Sequence, residues 1–111
     1  MAKKNDVIVV LVTCKSQAEA RRIVTSVVEK RLAACGNILE APVSSIYRWK
    51  RKVERAKEYL VMLKSTRRAY GALEREVTRL HSYEVPEIIA VPVTALSRKY
   101  STWIEGNVSK K

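Results

Sequence analysis

The chain has 111 residues, 47% of them hydrophobic and 30% charged, with 22 Lys and Arg against 11 Asp and Glu. That length holds one domain, 1–111, with one modest core. The composition excludes a disordered chain, and no stretch approaches the ~20 apolar residues of a membrane helix. The formal charge of +11 points to anionic partners (RNA, DNA, nucleotide or anionic lipid) or to no more than a solubilising surface.

The start, MAKKNDVIVVLVTC, has the basic beginning and short apolar run of a secretory or lipoprotein signal. Asp6 abuts the run, no A-x-A site follows, and Thr13 stands where a small residue should precede a lipidated cysteine, so the expectation is a cytoplasmic protein. VIVVLVTC (7–14) is a continuous β-branched run and predicts a strand buried on both faces. Ser16 and Glu19 form a capping box. Apolar residues then recur at Ala20, Ile23, Val24, Val27, Val28 and Leu32, the spacing of one helix face. With Gly36 as its stop, the first helix runs over about 17–35.

SSIYRWK (44–50) predicts a strand, broken from the preceding ILE by Pro42, and KEYLVMLKS (57–65) a second, with the KRKVERA between them a hairpin connection. Thr66 caps a second helix whose face carries Tyr70, Leu73, Val77 and Leu80, and Pro86 forbids its continuation. IIAVPV (88–93) is a fourth strand. A closing helix over about 98–105 carries Tyr100, Trp103 and Ile104 and stops at Gly106. The order β-α-β-β-α-β predicts an α+β, ferredoxin-like fold: a four-stranded antiparallel sheet with two helices on one face, plus the short C-terminal helix. Two helices cover one face only. The first and fourth strands are nevertheless apolar at odd and even positions alike, so the second sheet face asks for an oligomer.

Cys14 and Cys35 do not make a disulfide framework. In this topology they fall at opposite ends of the subunit, with His81 at the Cys14 end, so a site combining His81 with Cys35 lies between subunits. A metal chaperone of the same topology would carry Cys-x-x-Cys after its first strand; VTCKSQ has one thiol. His81-x-x-Glu84-x-x-Glu87 is chemically apt for zinc or copper, or is simply a helix terminus followed by a turn, since Pro86 pushes Val85 towards extended geometry. YRWKRKVERAK (47–57) interleaves bases and aromatics, as a stacking and phosphate-binding platform for nucleic acid would, or as an edge hairpin packed on a neighbouring subunit. Nothing resembles a nucleophile elbow, a glycine-rich phosphate loop or a Ser/His/Asp trio, which speaks against an enzyme.

RLAACGNI (31–38), SIYRWK (45–50), HSYEVPEII (81–89) and YSTWIEG (100–106), in this order, resemble the hallmark segments of the CutA family, the divalent-cation tolerance proteins. The resemblance covers about residues 7–108. It implies a ferredoxin-like subunit in a tight homotrimer similar to the PII signalling proteins, and a cytoplasmic role in tolerance of copper and other divalent metals. The residues matching family motifs are Cys35, Asn37, Tyr47, Trp49, Lys50, Lys64, His81, Tyr83, Glu84, Pro86, Glu87 and Trp103. Metal ligation is implied mainly for Cys35 and His81, and Glu84, near the lone imidazole, is a further candidate ligand; Asn37, Tyr47, Trp49, Lys50, Lys64, Tyr83, Glu87 and Trp103 are the expected ligand-binding residues. Gly36 stands where an apolar residue is usual, Ser82 replaces a proline, and Arg51 replaces a turn glycine, which predicts a longer or differently twisted hairpin. The resulting expectation is a non-enzymatic homotrimer without organic cofactor. It binds copper, another divalent metal ion or a small anionic ligand in clefts between subunits. The alternative is a nucleic-acid or nucleotide module using the basic hairpin 47–57.

Overall fold

The computed structural model describes residues 5–110; the basic start at residues 1–4 lies outside them. Its elements are β1 (Val7–Cys14), α1 (Gln17–Glu29), β2 (Cys35–Ile38), β3 (Val43–Trp49), β4 (Lys52–Thr66), α2 (Tyr70–Leu80), β5 (Ile88–Pro92) and α3 (Arg98–Asn107). The strands form one antiparallel sheet in the order β2-β4-β1-β5, with β3 also on β4. β2 and β3 lie end to end along the same edge of β4, pairing with Val61–Lys64 and with Lys52–Glu58 respectively. Pro42, which has no N–H for a ladder, falls in the break. The expected ferredoxin-like arrangement is therefore present, with its second strand split in two.

The connection between β3 and β4 corrects the expectation of a longer hairpin. Trp49 pairs directly with Lys52, so only Lys50 and Arg51 turn the chain. Both occupy the left-handed region, with φ of 50° and 70°. This is the geometry of the two-residue turn that matches strand twist, and it normally selects Asn or Gly. Without glycine the turn keeps its length and bears a steric cost of about 1–2 kcal/mol per residue.

Helix α1 starts as expected: Ser16 Oγ accepts from Glu19 N at 3.1 Å. It ends about six residues earlier than predicted. Arg31 takes a left-handed conformation (φ 60°), Leu32 N donates to Val27 O (2.8 Å) and Arg31 N to Val28 O (3.0 Å), a Schellman ending. Gly36 is not that stop. It lies in β2 under α1, where an added Cβ would come within 2.8 Å of both Leu63 Cδ2 and Val24 Cγ1. The close approach of strand and helix, rather than backbone conformation, calls for glycine there. Gly106 likewise sits within the last turn of α3 rather than stopping it.

Ile8, Val10, Val12 and Cys14 of β1, with Val61 and Leu63 of β4, face Ala20, Ile23 and Val27 of α1 and Leu73 and Val77 of α2. The two helices are tied through Glu76, whose carboxylate accepts from Ser26 (2.5 Å) and Lys30 (2.9 Å) on α1 and from Arg79 (2.7 Å) on its own helix. On the opposite sheet face α3 covers one end only, where Ile104 and Val108 pack with Val7, Ala34 and Ala69. Beyond it run Val9, Leu11 and Met62, with Ile89 and Val91 exposed at 50% and 43%. The predicted bare apolar strip is present.

Arg79, Ser26 and Lys30, through their hydrogen bonds, hold the Glu76 carboxyl far below the usual carboxylate range. A depressed pKa contributes stability that is present above the unfolded value of about 4.3 and is lost as pH falls below it. Glu76→Gln should therefore be less stable than the parent at pH 7. The gap between their melting temperatures should narrow at pH 3.5; a gap that stays constant with pH would contradict this assignment.

Candidate functional site

Past the end of β1, where Cys14 pairs with Tyr59, β3 and the first half of β4 continue as a two-stranded ribbon. Pro86 keeps α2 from continuing, and the segment 82–87 bends back beside that ribbon. Between them opens a cleft of about 860 Å³, lined by Thr13, Ser45–Trp49, Glu58 and Ser82–Glu87. Strand alternation places Tyr47 and Trp49 on the ribbon face that carries Glu58. Three aromatic rings (Tyr47, Trp49, Tyr83), three carboxylates (Glu58, Glu84, Glu87) and the Arg48 guanidinium therefore share one concavity. A cleft of this size with a few convergent polar groups suits a small ligand.

Tyr83 donates its hydroxyl proton to Glu58 Oε2 at 2.8 Å. Burial first, then the bond to Glu58 and the charge of that carboxylate, push the phenol well above its ordinary pKa. Tyr83 is thus a fixed hydrogen-bonding wall and not an acid at neutral pH.

His81 lies beneath the cleft, buried, at the C-terminus of α2. Its Nε2 is 2.8 Å from Thr13 O, and its Nδ1 accepts from Tyr83 N at 3.1 Å. Only the neutral ring protonated on Nε2 satisfies both bonds. Glu19 completes the arrangement: Oε2 accepts from Ser82 N (2.9 Å) and Oε1 from Lys15 N (3.3 Å). Burial opposes ionisation of Glu19, yet the Ser82 side chain together with the Lys15 and Ser82 N–H groups outweighs it and holds the carboxyl below its usual range. Together His81 and Glu19 clasp the segment 81–83 to the end of β1 and the start of α1.

This clasp contains the strongest metal-type donor set among the described residues: ligand atoms of Cys14, Glu19 and His81 all lie within 4.8 Å of one another. Sulfur, oxygen and nitrogen suit zinc or copper by type, but the atoms are not available. Both imidazole nitrogens and both Glu19 oxygens already hold hydrogen bonds. Burial, reinforced by the charges of Glu19 and Glu58, pushes the Cys14 thiol up to about 12. A resident metal does not fit this cluster.

The remaining expected residues form a second group at the far end of the same sheet face. Cys35, Asn37 and Lys64 are neighbours in the β2–β4 ladder. Lys64 Nζ donates to Asn37 Oδ1, and Cys35 Sγ lies 3.5 Å from Tyr100 Oη. Tyr100 stacks on Trp103 at 5.6 Å. Within one chain Cys35 and His81 are not brought together: five residues of β4, about 17 Å, separate the register of Cys35 from that of Cys14. Lys50 stands at the hairpin tip, its Nζ 5.9 Å from the Trp49 ring centroid. Sequence reasoning missed Thr13, Glu19 and Glu58. Glu19 carried a signal in its capping-box position, which explained one neighbour but not its buried contact with Ser82. Glu58 carried none beyond being an acid in a strand.

A split-edge ferredoxin-like sheet with a half-covered apolar face and a polar cleft at one end defines a small α+β protein of ferredoxin-like architecture. A profile described as the CutA1 divalent ion tolerance protein matches residues 8–107. The "Divalent-cation tolerance protein CutA" of Thermus thermophilus is 43% identical over 99 residues, 89% of this chain and 95% of that protein. The solved structure of a Thermus thermophilus Cut A1 superposes with a TM-score of 0.90 at 42% identity, covering 93% and 99% of the two chains. A structure described as the periplasmic divalent cation tolerance protein CutA of Archaeoglobus fulgidus gives 0.89 at 33% identity over 93% and 99%. Mouse "Protein CutA" is 43% identical over 93 residues, 84% of this chain but 52% of that protein, so this chain spans about half its length. The chain belongs to the CutA1 divalent ion tolerance family.

Removing the His81 ring deletes two hydrogen bonds and leaves a buried void. His81→Ala should lower stability by about 2–4 kcal/mol. Denaturant unfolding that finds the variant as stable as the parent would show that the clasp contributes nothing.

Proposed function

We propose that this chain is a non-enzymatic homotrimer that serves divalent-cation tolerance by binding its ligand in the aromatic and carboxylate cleft, closed in the assembly by a second copy. The observation that carries the reading is the placement of the expected residues in two groups at opposite ends of one bare apolar face. Tyr47, Trp49, Tyr83, Glu84 and Glu87 stand at one end, and Cys35, Asn37, Lys64 and Trp103 at the other. One chain cannot join them; a neighbour docked on the apolar strip would. Three copies is the number the family resemblance implies.

Copper or another divalent metal would then be held, weakly, by the exposed carboxylates of Glu84 and Glu87, with His81 supporting the segment that carries them instead of ligating. Lys64, brought by a second copy, would meet a small anionic ligand. Two free thiols, Cys14 and Cys35, favour a reducing, cytoplasmic compartment. Among the described residues no helix is long and apolar enough to cross a membrane.

Calorimetry with Cu(II) should give a clearly weaker isotherm for Glu84→Gln/Glu87→Gln than for the parent. An isotherm identical to that of the parent would remove both carboxylates from the ligand set.

The assembly has its own test. Val10 is fully buried beneath the helices, while Leu11 lies on the opposite, uncovered face. Val10→Asp should fail to fold, because an unpaired charge enters the core. Leu11→Asp should lose the trimer, giving monomer or aggregate by light scattering while circular dichroism retains the fold. A parent protein that is monomeric at micromolar concentration would end the intersubunit reading.

A further inference from the structure

One buried charge in the cleft has no counterion in the fold. The buried acids among the described residues are Glu19, Glu58 and Glu76. Glu76 is paired with Lys30 and Arg79, and Glu19 accepts from two backbone N–H groups. Glu58, 7% exposed, has neither kind of partner. Its Oε2 accepts from the neutral Tyr83 hydroxyl, and none of the ion pairs among the described residues includes it. A buried carboxylate is costly unless a cation or converging N–H groups meet it. Glu58 lines the cleft, where a ligand can bring the cation that the fold omits.

The walls around Glu58 define the kind of cation. Tyr47 and Trp49 share its face of the β3–β4 ribbon, and Tyr83, Glu84 and Glu87 stand on the segment beside it. A tightly held metal ion makes no use of three aromatic rings and needs several donor atoms converging on one point. Among the described residues the one such group is Cys14, Glu19 and His81; Glu58, Glu84 and Glu87 do not form another. An alkylated ammonium ion has the opposite needs. Its charge is diffuse, its surface is apolar, and it is held by ring faces and a nearby carboxylate without short coordinate bonds. Within the single chain Lys50 Nζ already stands 5.9 Å from the Trp49 ring centroid, so this ring draws an ammonium group. The lining itself sets one guanidinium, Arg48, against three carboxylates.

We propose that the cleft takes an alkylated ammonium ion, its apolar surface against Tyr47, Trp49 and Tyr83 and its charge against Glu58. This names the ligand class of the cleft and rests on the reading that a second copy closes it. Closure excludes water, the condition under which ring faces hold a cation most strongly.

The test is calorimetric titration of the assembled protein with choline and with 3,3-dimethylbutan-1-ol, which has the same shape with carbon in place of the charged nitrogen. Choline should bind about tenfold more tightly than the alcohol. Glu58→Gln keeps an acceptor for the Tyr83 hydroxyl but loses the charge, and should lower choline affinity at least about tenfold. Trp49→Leu keeps an apolar side chain against the neighbour but loses the ring, and should lower the preference for choline over the alcohol roughly fivefold. Circular dichroism and light scattering establish that each variant is folded and assembled. Equal binding of choline and the alcohol by the parent would overturn the proposal, as would parental choline affinity in assembled Glu58→Gln. If choline fails while Cu(II) binding still depends on Glu84 and Glu87, the ammonium ligand falls and the cleft reading stands; if the parent is monomeric, both fall.

Discussion

The structure depends on one uninterrupted strand. β4 runs for 15 residues, about 50 Å at ~3.3 Å per residue, and the molecule's longest extent is 49 Å. Its second half sits between β1 and β2 at the centre of the sheet, paired on both sides and filled with Val61, Leu63 and Ser65. Its first half has only β3 beside it. The buried half supplies the stability that lets the other half stand out as a ribbon, and the ribbon forms one wall of the cleft. An interruption near Glu58 would detach that wall from Tyr83, whose hydroxyl reaches this residue.

The opposite wall is held by a different device. The segment 82–87 has no strand or helix of its own, and its first residues are fixed by side chains rooted elsewhere. Glu19 on α1 takes the Ser82 N–H and His81 takes that of Tyr83. Buried charge and buried imidazole are costly unless every polar atom is paired, and here the pairing is complete: no buried side-chain polar atom among the described residues lacks a partner. The same completeness that makes the clasp rigid withholds its donor atoms from a metal. Donor type and proximity alone would nominate Cys14, Glu19 and His81 as a metal centre; the hydrogen bonds already held by the imidazole nitrogens and the carboxylate oxygens weigh against it.

Much of this was legible from the residues, and the misses have local causes. Continuous apolar runs located β1 and β5, and 3.6-residue spacing located α1 and α2, because burial on both faces of a strand or on one face of a helix imposes those patterns. The end of α1 departs from the expectation because Gly36 serves by its lack of a Cβ beside Val24 and Leu63 and not by its conformation. The hairpin turn is tighter than its residues predict because Lys50 and Arg51 accept a conformation that local preference assigns to other residues. In the site, Tyr47, Trp49, Tyr83, Glu84 and Glu87 line one cleft of the single chain. The separation of Cys35 from His81 followed from topology. Glu58 and Thr13 depend on strand register, which no local pattern reveals.

The net charge also reads differently once its parts are placed. Of the 11 acids, Glu19, Glu58 and Glu76 are buried and serve as hydrogen-bond acceptors, while Glu40 and Glu105 sit in ion pairs with Arg21 and Arg68. The acids available to solvent and ligands are therefore fewer than the composition implies, and Glu84 and Glu87 of the cleft are two of them. The ribbon, by contrast, sets six exposed cations against Glu54. At physiological ionic strength exposed charges are screened over about 8 Å, so a cation approaching the cleft senses mainly its own lining and not the whole +11. Within that range Glu58, Glu84 and Glu87 face Arg48 in the cleft and Lys50 beside Trp49, so the field a ligand meets there is set by these neighbours and by the pairing of β3 with β4 that holds them.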